Sequence, residues 1–62
     1  MRDILVVRRK DYAYILGETV RGKNWIIQNV GLGQADSFRV QIDYIEDIVE
    51  SLHKEDLIVE VI

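Results

Sequence analysis

Valine and isoleucine supply 17 of the 62 residues, yet the longest aliphatic run, Ile4 to Val7, is only four residues long. β-branched side chains suit a pleated, half-buried surface, so the chain is expected to be ordered and rich in short strands. A secretory signal needs an apolar stretch of about 7–15 residues and a membrane span about 20. Neither fits here, which points to an intracellular, cytoplasmic protein without membrane attachment. The chain has no cysteine and one histidine, His53. Disulfides, thiolate metal sites and a cysteine nucleophile are thereby excluded. A domain this small buries only about 60% of the surface its unfolded chain exposes, and many such domains need a staple or a partner subunit. With the staples removed from the list, self-association is the expected source of extra stability.

Charge is unevenly placed. Residues 1–39 carry seven basic groups against four acids, and residues 40–62 carry one against seven, so a net charge of -3 divides into +3 and -6. An asymmetry of this kind marks either an interaction protein or two halves that attract each other within one fold.

Punctuation along the chain gives the order β-β-β-β-α-β in a single domain spanning residues 1–62. Residues 3–9 read as a strand. Lys10-Asp11 is a tight turn, and residues 12–19 return as the second strand of a hairpin. Gly22 marks the next turn and residues 24–30 read as a third strand. After a seven-residue loop, Phe38-Arg39-Val40-Gln41-Ile42 alternates, placing Phe38, Val40 and Ile42 on one face and Arg39 and Gln41 on the other. Residues 43–54 predict a helix: Asp43 offers a cap with Glu46 three residues on, and Tyr44, Ile45, Ile48, Val49 and Leu52 form an apolar stripe. Leu57 to Ile62 reads as a final strand with Glu60 as its sole polar gatekeeper. The expected fold is α+β, mainly β: a five-stranded sheet or barrel with one packing helix. A single helix covers one sheet face, and the strands are apolar on both, so the other is expected to be covered by curling into a barrel or by packing on a second copy, most simply as a homodimer.

No constellation suits catalysis. His53 sits near a helix end, where it complements the helix dipole. Asp43, Glu46, Asp47 and Glu50 lie opposite the apolar stripe, so they are expected to be solvated rather than coupled as an acid–base pair or converged on a metal. No cofactor is implied. Three binding surfaces stand out instead. The acidic helix face of Asp43, Glu46, Asp47 and Glu50 can dock on a basic protein by charge complementarity. The loop carrying Gly31, Gly33, Gln34, Asp36 and Ser37 is long for so economical a chain, and long loops often carry recognition. It lacks the third glycine and the following helix of a dinucleotide-binding loop. Finally, Tyr12, Tyr14 and Trp25, with Arg8, Arg9, Lys10, Arg21, Lys23 and Arg39, supply the stacking rings and cations of a single-strand nucleic-acid surface.

The stretch from Val6 to Glu18 (Val-Val-Arg-Arg-Lys-Asp-Tyr-Ala-Tyr-Ile-Leu-Gly-Glu) resembles the opening of the carbon storage regulator family of RNA-binding proteins. Val40-Gln41-Ile42 running into the helix is similar to the end of that family. The resemblance covers under half the chain and implies an interlocked dimer that binds RNA. The chain departs from the pattern in lacking a glycine in the first turn, in placing Asp43-Tyr44 where a basic RNA-contacting residue stands, and in its strand after the helix. Four strands followed by a helix are likewise similar to single-strand-binding transcriptional coactivators.

The leading expectation is a non-catalytic regulatory or interaction protein that binds as a homo-oligomer, with single-stranded RNA or DNA binding as the alternative. Its size and acidity also suit an inhibitor or adaptor of viral or mobile-element origin.

Overall fold

A computed structural model describes residues 1–29 and 39–62, together with the backbone alone of Ser37 and Phe38. The chain builds β1 (Ile4–Arg8), β2 (Tyr12–Gly17), α1 (Val20–Asn29), β3 (Ser37–Gln41), a 3-10 turn (Ile42–Tyr44), α2 (Ile45–Lys54) and β4 (Val59–Val61). The described residues make a small α+β domain with a four-stranded sheet and two α-helices. The sheet order is β3-β2-β1-β4. β1 pairs antiparallel with β2, β2 antiparallel with β3, and β1 parallel with β4. β3 and β4 therefore run in the same direction at opposite edges, which requires a long crossover, supplied by α2.

The hairpin forms where the sequence places it. Arg9 N–H donates to the Tyr12 carbonyl at 2.8 Å across the Lys10-Asp11 turn. Alternation then sorts the side chains: Ile4 and Val6 on β1 and Ala13 and Ile15 on β2 are fully buried. They form one core with Trp25 and Ile26 of α1, Ile45 and Leu52 of α2, and Leu57. Both helices thus cover the same face of the sheet.

Residues 24–30, expected as a third strand, belong instead to α1 as far as Asn29. Among the described residues the count of strands falls to four, that of α-helices rises to two, and the sheet is open rather than a barrel. Two local facts decide this. Thr19, expected at the end of the second strand, caps the helix: Gly22 N–H donates to its Oγ1 at 3.0 Å. Gly22, Trp25 and Ile26 then fall on one buried stripe at helical spacing. Gly22 is not a turn residue but the point of closest approach. A Cβ there would lie 2.1 Å from the Asp3 carbonyl oxygen and 3.1 Å from Ile4 Cγ1.

The second helix is present but starts differently. Asp43 lies in the 3-10 turn, Tyr44 occupies the N-cap of α2, and neither entry has a side-chain cap, so the Asp43–Glu46 box does not form. Tyr44 is 57% exposed and leaves the apolar stripe. The C-terminal end is better organised. Asp56 N–H donates to the His53 carbonyl at 3.1 Å and Leu57 N–H to that of Leu52 at 3.0 Å. This is the Schellman arrangement, with Leu52 and Leu57 both in the core. Asp56 holds its left-handed position at φ 60°.

Asp3 fastens these pieces together. Its Oδ1 accepts from the Thr19 hydroxyl at 2.6 Å and its Oδ2 from Ile58 N–H at 2.9 Å. These two bonds hold the carboxyl below its usual range, Thr19 contributing most, against the opposing effect of desolvation.

Two outcomes are expected. Gly22→Ala gains about 1 kcal/mol of helix propensity, but forcing a methyl group against the Asp3 backbone costs about 1–3 kcal/mol or more. A urea melt should therefore show net destabilisation, and an unchanged or higher midpoint contradicts the close approach. For Asp3, the depressed folded pKa means its stabilisation is complete above the ordinary carboxylate pKa and fades as pH falls through the lower folded value. Asp3→Asn should lower the thermal midpoint at neutral pH, with the gap to the parent narrowing in acid. A gap that is constant with pH contradicts the assignment.

Candidate functional site

The alternation that buries Ile4, Val6, Ala13 and Ile15 sends Leu5 and Val7 of β1 and Tyr12, Tyr14 and Leu16 of β2 to the opposite face. All five are half-buried and stand outside the core cluster and the side chains packed on it. Register sets their neighbours. Leu16 lies opposite Leu5, and Tyr14 opposite Val7. Arg39 of β3 lies opposite Tyr14, and Gln41 opposite Tyr12. Glu60 of β4 lies beside Leu5. The result is an aliphatic centre with an aromatic corner at one end and charged groups at the other.

The aromatic corner is ordered by ring contacts. Tyr12 and Tyr14 meet edge to face, with centroids 5.4 Å apart and planes at 83°. The Arg39 guanidinium carbon sits 5.3 Å from the Tyr12 ring centre. A cation–π contact of this exposed kind contributes about 0.5–1 kcal/mol, so it orients the ring more than it stabilises the fold. At the other end, Arg2 bridges Glu18 and Glu60, each at 2.5 Å. The Arg2 hydrogen bond holds the Glu18 carboxyl below its usual range, and the two glutamates raise the pKa of Arg2. Exposed pairs like these contribute little stability, but they fix charge at the rim.

Of the nine residues expected to contact nucleic acid, the structure brings together three: Tyr12, Tyr14 and Arg39. Arg8 points into a groove beside α2, on the helix-covered side. Arg9 and Lys10 are exposed in the hairpin turn. Arg21 and Lys23 lie on α1, where Arg21 donates to the Asp56 carbonyl at 2.8 Å. Trp25 is the clearest correction: it is in the core, only 6% exposed, and its Nε1 donates to Glu55 Oε2 at 2.6 Å. A tryptophan on a helix that packs against the sheet cannot also lie on the sheet's free face.

The acidic helix face also divides. Glu46 and Glu50 line the groove that Arg8 enters, of about 560 Å³, while Asp47 lines a separate depression with Tyr44 and Ile48. Asp43 stays in the 3-10 turn. Of the expected ligand loop, Gly31, Gly33, Gln34 and Asp36 lie outside the described residues, and Ser37 begins β3. Among the described residues no three His, Asp or Glu side chains are grouped to hold a metal ion. No helix among them is long and apolar enough to cross a membrane.

Leu5, Val7, Leu16, Arg2, Glu18 and Glu60 were not anticipated as parts of a site. The period-two alternation of residues 4–8 and 12–17 carries the signal for the three aliphatic residues. The charged bridge depends on β4 lying beside β1, which no local pattern announces.

No family model matches this chain, and neither a curated protein nor a solved structure matches it significantly. The carbon storage regulator resemblance therefore rests on the residues of the hairpin and of Val40-Gln41-Ile42 alone. The helix over residues 20–29 interrupts the run of strands expected there, and the strand after α2, already a departure from that pattern, pairs parallel with β1.

The burial of Trp25 has a direct optical consequence. Emission from this single tryptophan is expected to resist acrylamide quenching in the folded protein and to become accessible only on unfolding. Quenching in the native state as rapid as that of a free indole would place Trp25 at the surface instead.

Proposed function

We propose that this protein is a non-catalytic regulatory or interaction protein that acts by binding, as a homo-oligomer, and that the helix-free face of its sheet is the recognition surface. The supporting observation is the set of five half-buried apolar side chains, Leu5, Val7, Tyr12, Tyr14 and Leu16, on the face that neither helix covers. Contiguous apolar surface on a small domain is a feature of binding sites. The face suits a partner that presents apolar or planar groups to its centre and hydrogen-bonding or charged groups to Arg39 and Gln41.

A second reading, single-stranded RNA or DNA as that partner, draws on one specific observation. Tyr12, Tyr14 and Arg39 form a ring-and-cation cluster on a sheet surface, the arrangement on which bases stack. Weighing against it, Glu18 and Glu60 lie at the opposite end of the face. Six of the nine expected contacts point elsewhere or stay apart from this cluster.

A titration separates the readings. Fluorescently labelled mixed-sequence single-stranded RNA and DNA are added to the folded protein at low and at physiological salt. Nucleic-acid recognition predicts affinity that falls steeply with salt, because phosphate contacts release counterions, and that is abolished by combining Tyr14→Ala with Arg39→Glu. Absence of binding at low salt removes that reading and leaves the apolar partner. Binding at low salt that withstands the double substitution moves the site away from this face and overturns the proposed recognition surface.

A further inference from the structure

We infer that the homo-oligomer is a two-fold dimer in which a second copy of this chain pairs with the outer edge of β4 and fills the groove beside α2. The inference rests on the homo-oligomer reading and adds its interface.

The strand edge comes first. β4 is held to β1 through alternate residues: Ile4 N–H donates to the Ile58 carbonyl at 3.1 Å, Ile62 N–H to that of Val6 at 2.8 Å, and Arg8 N–H to that of Ile62 at 3.0 Å. In a parallel ladder the intervening residues turn their N–H and C=O groups the other way. Val59 and Val61 thus present their backbone groups outward along the sheet edge. An edge of this kind is a template for another strand. Around it, Ile58, Val61 and Ile62 are exposed apolar side chains.

The groove continues this edge on the helix side. Its apolar lining is Ile45, Val49 and Val61. Along α2 the rim changes sign, from Glu46 and Glu50 in the N-terminal part to His53 and Lys54 at the C-terminal end; Lys54 also lies 3.6 Å from Glu50 of its own helix, and Arg8 of β1 adds a cation to the same groove.

That gradient decides the occupant. Identical strands that pair edge to edge about a two-fold axis run antiparallel. α2 leads into β4 through a short turn, so the two copies of α2 run antiparallel as well. The acidic part of each helix then faces the basic end of the other, over the shared apolar lining. A surface that complements itself when rotated is what an isologous interface requires. Glu60, which falls nearest the axis, already carries Arg2 on its carboxylate, offsetting the like-charge repulsion of a Glu60–Glu60 pairing. The helix-free face lies outside this interface and becomes one surface across eight strands.

Sedimentation equilibrium of the full chain across micromolar concentrations tests this. The expected mass is twice 7.2 kDa. Val61→Asp should give a monomer, checked as folded by circular dichroism. Glu46→Lys and Lys54→Glu, both at exposed positions, should each raise the dissociation constant by at least about tenfold, and the double variant should restore it to near the parent value. A monomer at every concentration overturns the homo-oligomer reading and this interface together. A dimer that survives Val61→Asp and both charge reversals, but is lost with Val7→Glu on the helix-free face, overturns only the interface inferred here.

Discussion

The carboxylate of Asp3 is the point on which the rest of the fold depends. Its two oxygens receive the Thr19 hydroxyl and the Ile58 N–H. Its own backbone N–H donates to the Ile58 carbonyl at 2.8 Å, and its carbonyl accepts from Glu18 N–H at 2.9 Å. The start of β1, the cap of α1 and the entry to β4 therefore converge on one residue, 7% exposed. The Thr19 hydroxyl is used twice, donating to Asp3 and accepting from Gly22 N–H. A buried carboxylate left without such donors would be strongly unfavourable. With them, it holds the N-terminus of α1 so close to the sheet that Gly22 has no room for a side chain.

What could be read from the sequence follows the range of the forces involved. The hairpin, the alternation of β3 and the apolar stripe of α2 are local patterns, and they were legible. α1 was not, because the run Trp25-Ile26-Ile27 has no intrinsic period and glycine disfavours a helix interior by about 1 kcal/mol. The spacing of Gly22, Trp25 and Ile26, together with Thr19 as a cap, was the available signal. Its meaning rests on the contact of Gly22 with Asp3, which lies nineteen residues earlier in the chain. The candidate site divides in the same way. Arg39 on the face opposite Val40 was visible in the alternation, whereas its placement over Tyr12 depends on the β2–β3 register. Trp25 failed as a surface residue for the same reason that its segment failed as a strand.

The division of charge along the chain is partly consumed inside the fold. Arg2 of the basic segment bridges Glu18 to Glu60 of the acidic one. Arg21 donates to the Asp56 backbone and lies 3.8 Å from Asp3. The Glu50–Lys54 pair, one turn apart on α2, is at 3.6 Å. The Arg2–Glu60 and Arg21–Asp56 contacts join the two halves of the sequence, so the +3 and -6 totals describe neighbours more than a field. In the recognition surface and dimer proposed above, the charge that counts is the local arrangement of Arg39 beside the tyrosines and of the two ends of α2.

Only three residues long, β4 covers the most hydrophobic segment in the molecule. β1 contains the aliphatic run Ile4 to Val7 and is paired on both sides, by β2 through five residues and by β4 through three. The short partner is the weaker of the two, and its pairing spans more than fifty residues of chain. Release of β4 would strip one flank from a strand of high β-propensity with no proline and no charge between Ile4 and Val7, the composition that seeds intermolecular sheets. The final strand therefore acts as a guard on solubility as well as a member of the sheet.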